Sequence, residues 1–360
     1  MTTVPAVDEL APPRRRRLLG QRGFGRFLVR RLAALVLLSL GITAVAFVLT
    51  QLVPSNAAAT NLGEQAAGDP AAVKAFEHHY GLDRPLPVRY AIYLDHVLHG
   101  DLGQSSLTHD AVTHDLGQFI PATGELALYS VLFAAIVGIA LGTIAALRRN
   151  RPTDHLLRVT SLAGISMPTF WIALVALYVG FYKLGWFPGA DRLDPGVTPP
   201  PSVTGLYTVD ALLAGKLSLF VQALHHLVLP ALVLAAFNVS LLTRYTRSAV
   251  LEVVGNDYVR AARAKGLPER IVIVRYVLRA ALPSVITVLG LVFANVLTGA
   301  VLVEKIFSWP GIGQYAYQAA VNLDVPAIAG VSIFVAVVYV TTNFVVDVLY
   351  GVIDPRIRLT

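Results

Sequence analysis

Histidines are the side chains in this sequence with the clearest capacity for metal chemistry. Six of the nine fall between residues 78 and 114, and His96 and His99 stand three residues apart, on one face of a helix. Zinc sites usually combine histidine with cysteine or with closely spaced acids, but the chain has no cysteine and the neighbouring acids are scattered. We therefore interpret these histidines as solvated side chains and predict no metal site.

Glycine-rich stretches offer no nucleotide site. The Gly215-Lys216 pair is followed by Leu217, where a phosphate-binding loop needs Ser or Thr. Gly311-x-Gly313 lacks the strand-turn-helix context of a dinucleotide fingerprint. We predict that the chain is not an enzyme and binds no cofactor, so that any ATP and Mg would be bound by a separate polypeptide.

The most informative polar stretch is the segment 244–283. Its first half predicts a helix that ends in the cations Arg263 and Lys265 with Gly266 as its stop, and its second half predicts a helix over 269–279. A short helix held between two membrane spans can dock on a partner and pass motion to those spans, although a merely basic loop stays open on these features. The candidate docking residues are Glu252, Asp257, Tyr258, Arg260, Ala261, Arg263, Ala264, Lys265, Gly266 and Leu267.

Strongly polar groups are rare within the apolar segments. Ion-coupled carriers usually keep ionisable side chains inside the membrane, whereas Glu125 and Asp347 fall at the edges of such segments here. The polar groups at depth are mainly Asn238, Asn295 and Asn343. We expect them to form hydrogen bonds between helices, with lining of a pathway as the alternative.

The elements that carry these residues are apolar segments long enough to cross a bilayer. The chain of 360 residues is 55% hydrophobic and 14% charged, against about 25% charged in soluble domains. Six segments approach the roughly 20 residues that a spanning helix needs: 32–52, 126–147, 159–182, 227–243, 285–303 and 325–346. The first is too long for a cleavable signal, so we predict a disordered basic tail over 1–26 and a first transmembrane helix within 27–53.

Charge placement predicts the orientation. With both termini in the cytoplasm, the internal segments 1–31, 148–158, 244–281 and 347–360 hold 22 of the 29 Lys and Arg residues. The net charge of +7 then follows from topology, and nucleic-acid binding is unnecessary. The sequence predicts an all-α, multi-pass protein of the plasma or inner membrane, in contact with lipid.

Two external segments carry local helix signals. Within 54–121, Asp69-Pro70 predicts a helix start, Gly81 a stop, and 87–98 a second helix ended by Gly100. The apolar segment 209–224 is interrupted by Asp210 and Lys216, which favours an interfacial helix over a seventh span. The fourth span is only 17 residues long and needs tilt or extension through His225 and His226.

The segment 257–267 resembles the cytoplasmic coupling loop of binding-protein-dependent ABC importers, and is most similar to that of the dipeptide, oligopeptide and nickel permeases. Further motifs follow in the family's order, and the resemblance runs from about residue 27 to the end. They are Gly81-Leu82-Asp83-x-Pro85, Gly100-Asp101-Leu102-Gly103-x-Ser105, Pro121-x-Thr123-x-Glu125-Leu126, Phe307-Ser308-Trp309-Pro310-Gly311-Ile312-Gly313 and Asp354-Pro355-Arg356.

The resemblance implies a type I importer permease fold, with a core over 122–360 that holds five spans. It implies a homologous second permease, two ATP-binding subunits that hold ATP and Mg, and an extracytoplasmic solute-binding protein. The turn with Trp309, Pro310, Gly311 and Gly313 and the region 54–121 would form the docking surface for that protein. Val53-Pro54-Ser55-Asn56 departs from the family's pattern.

We expect a small peptide as cargo, with nickel or a nickel chelate as the alternative. An ion-coupled secondary carrier and a membrane scaffold are alternatives of other classes.

Overall fold

The computed structural model describes residues 20–52, 69–71, 74, 78 and 84–353 of the chain, and this part is helical throughout. The helices are α1 (Gly20–Leu52), α2 (Leu86–Leu98), α3 (Val112–Leu147), α4 (Pro152–Ser166), α5 (Thr169–Ala176), α6 (Tyr207–Leu213), α7 (Leu217–Val254), α8 (Asp257–Ala264), α9 (Glu269–Ile271), α10 (Arg279–Gly299), α11 (Val301–Ile306), α12 (Ile312–Val321) and α13 (Val325–Ile353). Two π-helical stretches, Leu177–Lys183 and Val272–Leu278, follow α5 and α9.

Four helical stretches are long and apolar enough to cross a membrane. They are Val112–Leu147, Leu217–Val254, Glu269–Leu297 and Val325–Val345. A fifth candidate is α4 together with α5 and its π-helical continuation, and the apolar part of α1, Ala33–Val48, is shorter. The described chain is therefore an all-helical protein with four to five candidate spans.

The third predicted span is not one continuous helix. Its two halves meet at 99°, with Met167 extended between them at φ −80° and ψ 128°. Pro168 has no N–H to continue the helix, and it disfavours helical backbone at the preceding residue. The expectation of an uninterrupted helix over 159–182 is corrected accordingly.

Close contact between α3 and α7 forms the centre of the helical core. A Cβ atom on Gly138 would lie 2.6 Å from the Leu242 Cβ, and one on Gly142 would lie 2.6 Å from the Thr243 carbonyl oxygen. The two glycines are four residues apart and face α7 together, the arrangement that lets membrane helices approach closely. Buried side chains of α7 on either side of this contact, such as Leu234 and Val250, continue the core.

Three predicted boundaries are wrong. Helix α1 already begins at Gly20, so residues 20–26 are not a disordered tail, while residues 1–19 lie outside the described part. Helix α3 begins at Val112 and runs through Pro121, so no boundary separates an external region from the core at residue 121.

The predicted interfacial helix over 209–224 is in fact two elements. Gly215, at φ +67°, ends α6 in a turn, and Leu217 begins α7, which continues through the fourth span to Val254. The expected extension through His225 and His226 is thereby confirmed.

Local signals in the first external region are confirmed where the structure describes them. The Asp69 carboxylate accepts a hydrogen bond from the Ala71 N–H at 2.9 Å, and α2 occupies the predicted position. Gly100, at φ +81°, follows that helix, whereas the predicted stop at Gly81 lies outside the described residues. The Tyr90 hydroxyl donates to the Leu40 carbonyl at 3.0 Å and so fixes α2 against α1.

Candidate functional site

The segment 257–267 forms the helix and glycine stop that its sequence predicts. Helix α8 buries Val259 and Ala262 against the π-helical stretch, where Val272 and Val277 are fully buried. Gly266 adopts φ +72°, a left-handed conformation that other residues reach only with strain. The predicted residues on the opposite side are exposed: Asp257, Tyr258, Arg260, Ala261, Arg263, Ala264 and Lys265.

Two ion pairs hold the ends of this short helix. Arg260 pairs with Asp257 within the first turn. Arg263 donates to Glu269 across the glycine turn, with Nη2 to Oε1 at 2.8 Å. The hydrogen bond from Glu269 raises the pKa of Arg263. The result is a preformed, polar projection between α7 and α9, while Glu252 lies one helix earlier, exposed near the end of α7.

Two of the three asparagines bond within their own helices. Asn238 Nδ2 donates to the Leu234 carbonyl at 2.8 Å, and Asn343 Nδ2 donates to the Tyr339 carbonyl at 3.0 Å. The expectation of interhelical hydrogen bonds is wrong for these two donors, because a carbonyl four residues earlier lies within reach on the same helix face. Asn295 lies exposed on α10.

The turn 307–313 is buried inside the chain. Trp309 is 1% exposed and donates from Nε1 to the Ala122 carbonyl at 2.9 Å, and Gly311 and Gly313 are buried as well. These residues therefore do not form the expected docking surface for a binding protein.

The buried acid Glu304 explains the inward direction of this turn. Its carboxylate accepts hydrogen bonds from the Thr123 hydroxyl at 2.6 Å and from the Gln314 N–H at 3.1 Å. A Cβ on Gly311 would lie 2.5 Å from that carboxylate, so only glycine fits there. Sequence reasoning missed Glu304, although an acid beside a glycine-rich turn is a recognisable signal.

A second buried network joins α3 to the external chain before α6. The Glu125 Oε2 and Arg192 Nη2 atoms lie 2.5 Å apart, and both side chains are nearly inaccessible. Glu125 Oε1 also accepts from the Thr208 N–H and hydroxyl at 2.7 and 2.6 Å. The Arg192 guanidinium lies 3.4 Å from the centre of the Tyr207 ring. Glu125 is thus a structural residue, and no local pattern indicates its partner 67 positions away.

The break between α4 and α5 lies at membrane depth. Gly164 packs on Ser240 and Ala236 of α7, and Gly180, beyond the break, packs on Leu229. The eleven residues from Leu229 to Ser240 span about 16 Å of helix, and the break lies between these two levels.

A cavity of about 420 Å³ opens beside the break, with Ser166, Met167, Pro168, Phe170 and Trp171 among its lining residues. Within the described ranges, no group of three or more His, Asp or Glu side chains could hold a metal ion.

Several long apolar helices, a span broken at depth and an exposed polar helix between two spans define a multi-pass membrane protein. Residues 138–359 match the family described as binding-protein-dependent transport system inner membrane component, and residues 24–118 match the N-terminal part of such membrane components. The chain belongs to this family. It is a multi-pass permease component of an ABC transporter in the inner membrane and is not an enzyme, which confirms the predicted class.

Curated relatives cover nearly the whole chain. The probable D,D-dipeptide transport system permease protein DdpB of Escherichia coli K12 is 42% identical over 93% of this chain and 98% of its own length. The di/tripeptide transport system permease protein DppB of Pseudomonas aeruginosa is 43% identical over 92% and 98%. The dipeptide transport system permease protein DppB of Escherichia coli K12 is 36% identical over the same shares.

A solved structure, a chain of the MetNI methionine ABC transporter in an inward-facing form, matches 65% of this chain and 93% of its own length. Its TM-score is 0.49 at 15% identity.

Proposed function

We propose that this chain is the permease subunit of a peptide importer and that it forms the pathway for dipeptides or short oligopeptides together with a homologous second permease. The observation that carries the proposal is that relatives named for dipeptide or di/tripeptide transport align with more than nine-tenths of the chain. The full assembly would add two ATP-binding subunits, which hold ATP and Mg, and an extracytoplasmic binding protein. Six spans in the type I importer fold, with both termini cytoplasmic, complete the proposal.

The broken span is the best candidate for the lining of the pathway. Irregular backbone at membrane depth is not tolerated against lipid, because its carbonyl and amide groups find no partners in hydrocarbon. Ser166, Met167 and Pro168 are exposed on this chain, so they face either water or another protein. A pathway between two permeases provides both. Asn238 and Asn343 contribute less, since their amide donors are already bonded within their own helices.

Helix α8 is the proposed contact with an ATPase. Its inner face is fixed by Val259 and Ala262, and its polar outer face remains exposed for a partner. Replacement of Gly266 by valine, which disfavours φ +72°, is expected to abolish uptake without loss of membrane insertion. Gly266→Asn is the matched control, because asparagine tolerates this conformation and has open space around it. A Gly266→Val protein with full uptake and normal stimulation of ATP hydrolysis would refute this role.

Cargo is tested by deletion of the gene in its own cell. Growth on peptides as the sole source of a required amino acid is expected to be lost and to return with the wild-type gene. Nickel-dependent urease or hydrogenase activity is expected to stay unchanged. Normal peptide use together with nickel starvation would leave the family assignment intact and overturn the cargo.

A further inference from the structure

We propose that the cytoplasmic cavity between α4 and α7 is a binding site for the phosphate headgroup of an anionic phospholipid of the inner leaflet. The cavity measures about 170 Å³ and is lined by three arginines, Arg158, Arg244 and Arg247, together with apolar side chains of α3 and α4. A cavity of about 150 Å³ accommodates a ligand the size of benzene, so a headgroup phosphate fits.

The arginines outnumber the acids available to them. Asp154 is fully buried and already accepts from Arg247 twice, Nε to Oδ1 at 2.7 Å and Nη2 to Oδ2 at 2.9 Å, and from the Asn150 N–H at 3.0 Å. Neither Arg158 nor Arg244 forms a salt bridge with a carboxylate of the described chain, and both are exposed. Two guanidinium groups beside one cavity repel each other unless an anion joins them.

The position of the two arginines selects a lipid as the source of that anion. Arg158 immediately precedes the apolar segment 159–182, and Arg244 immediately follows the apolar segment 227–243. Two adjacent helices thus bring their cytoplasmic membrane boundaries to one cavity. Basic pockets between spans on the cytoplasmic side are suited to anionic headgroups.

The wall of the cavity continues toward the bilayer as apolar surface. Leu162 and Ile165 lie one and two turns beyond Arg158 along α4, and both line the cavity. An acyl chain can follow them while its phosphate remains at the arginines. Thr243 also lines the cavity, and its buried hydroxyl has no hydrogen-bond partner within the described chain. A phosphate oxygen would supply the acceptor that this hydroxyl lacks.

The experiment is native mass spectrometry of the full chain, purified with its copurifying partners and titrated with phosphatidylglycerol or phosphatidylcholine. Tight retention of phosphatidylglycerol is expected for the wild type, and at least tenfold weaker retention for the double variant Arg158→Gln/Arg244→Gln. The control Arg148→Gln/Arg151→Gln removes two exposed cytoplasmic arginines that do not line this cavity and is expected to stay within twofold of the wild type. Arg158→Lys/Arg244→Lys keeps the charge, so part of the retention is expected to return.

Three results would overturn the proposal. The first is equal loss in the cavity and control variants, which would indicate a diffuse field of positive charge. The second is displacement of phosphatidylglycerol by millimolar inorganic phosphate, which would indicate a soluble anion as the ligand. The third is normal lipid retention by the cavity variant with loss of a copurifying permease, which would assign the arginines to a subunit interface.

Discussion

Asp210 holds the chain before α6 through its carboxylate. Oδ1 accepts from the Thr204 N–H at 2.8 Å and the Thr204 hydroxyl at 2.7 Å, and Oδ2 accepts from the Gly205 N–H at 2.9 Å. Burial raises the pKa of Asp210, but these hydrogen bonds together lower it below its ordinary value. The stabilisation is therefore present above the unfolded pKa of about 3.9 and is lost as pH falls through the lower folded pKa.

Asp210→Asn is expected to destabilise the protein by about 1–3 kcal/mol at neutral pH, because hydrogen bonds to a charged acceptor are lost. Thermal unfolding between pH 7 and pH 3 should show a smaller loss of stability on acidification for this variant than for the wild type. Asp110→Asn alters an exposed external acid and serves as the control. A parallel pH dependence of the Asp210 variant and the wild type would contradict the assignment.

The Glu125 and Arg192 pair makes a second prediction at this scale. Loss of one member of a buried pair leaves an uncompensated charge and costs about 3–5 kcal/mol. Glu125→Met and Arg192→Met are each expected to lower the unfolding temperature sharply. The double variant should be more stable than the sum of the two single losses implies, since neither charge remains. Additive losses would show that the two side chains are not coupled.

At the scale of elements, the contact between α3 and α7 depends on two missing side chains. Gly142→Ala places a methyl group 2.6 Å from the Thr243 carbonyl oxygen, so α3 must shift, at a cost of about 1–3 kcal/mol. Gly117→Ala adds the same group to the same helix in open space and is expected to be neutral or stabilising. Thermal unfolding in detergent compares the two. Equal unfolding temperatures would exclude close packing at Gly142.

The sequence predicts elements well where periodicity or a stop signal is local. Gly266 and Gly100 both marked real turns, and the six apolar segments all lie on helices. Contacts between distant elements were not accessible in this way. The inward fold of the turn at Trp309 depends on Glu304 and Thr123, which are 181 positions apart, and no pattern along the chain joins them. The break at Pro168 was open to prediction, but hydrophobicity averaged over the segment concealed it.

At the scale of the whole molecule, the chain lacks one wall of the proposed pathway. The cavity beside Ser166 and Trp171 is open on the surface of this chain, and the helices around it leave many large apolar side chains exposed. The chain reconstituted alone in liposomes is therefore expected to transport no peptide. Uptake should appear only with the second permease, the ATPases, ATP and the binding protein. Peptide accumulation by the single polypeptide would contradict the two-permease proposal.

Helix α7 has a mechanical consequence that follows from its length and its single tight contact. Its 38 residues form a rod of about 57 Å, and the close approach at Gly138 and Gly142 lies nearer to its cytoplasmic end. From Thr243, His226 is about 25 Å away in one direction and Val254 about 16 Å away in the other. A rotation of about 10° about this fulcrum would move the two ends in opposite senses, by about 4 and 3 Å. Helix α7 can thus act as a lever of nearly equal arms, so a small displacement imposed beside α8 would return as one of similar size at the external surface.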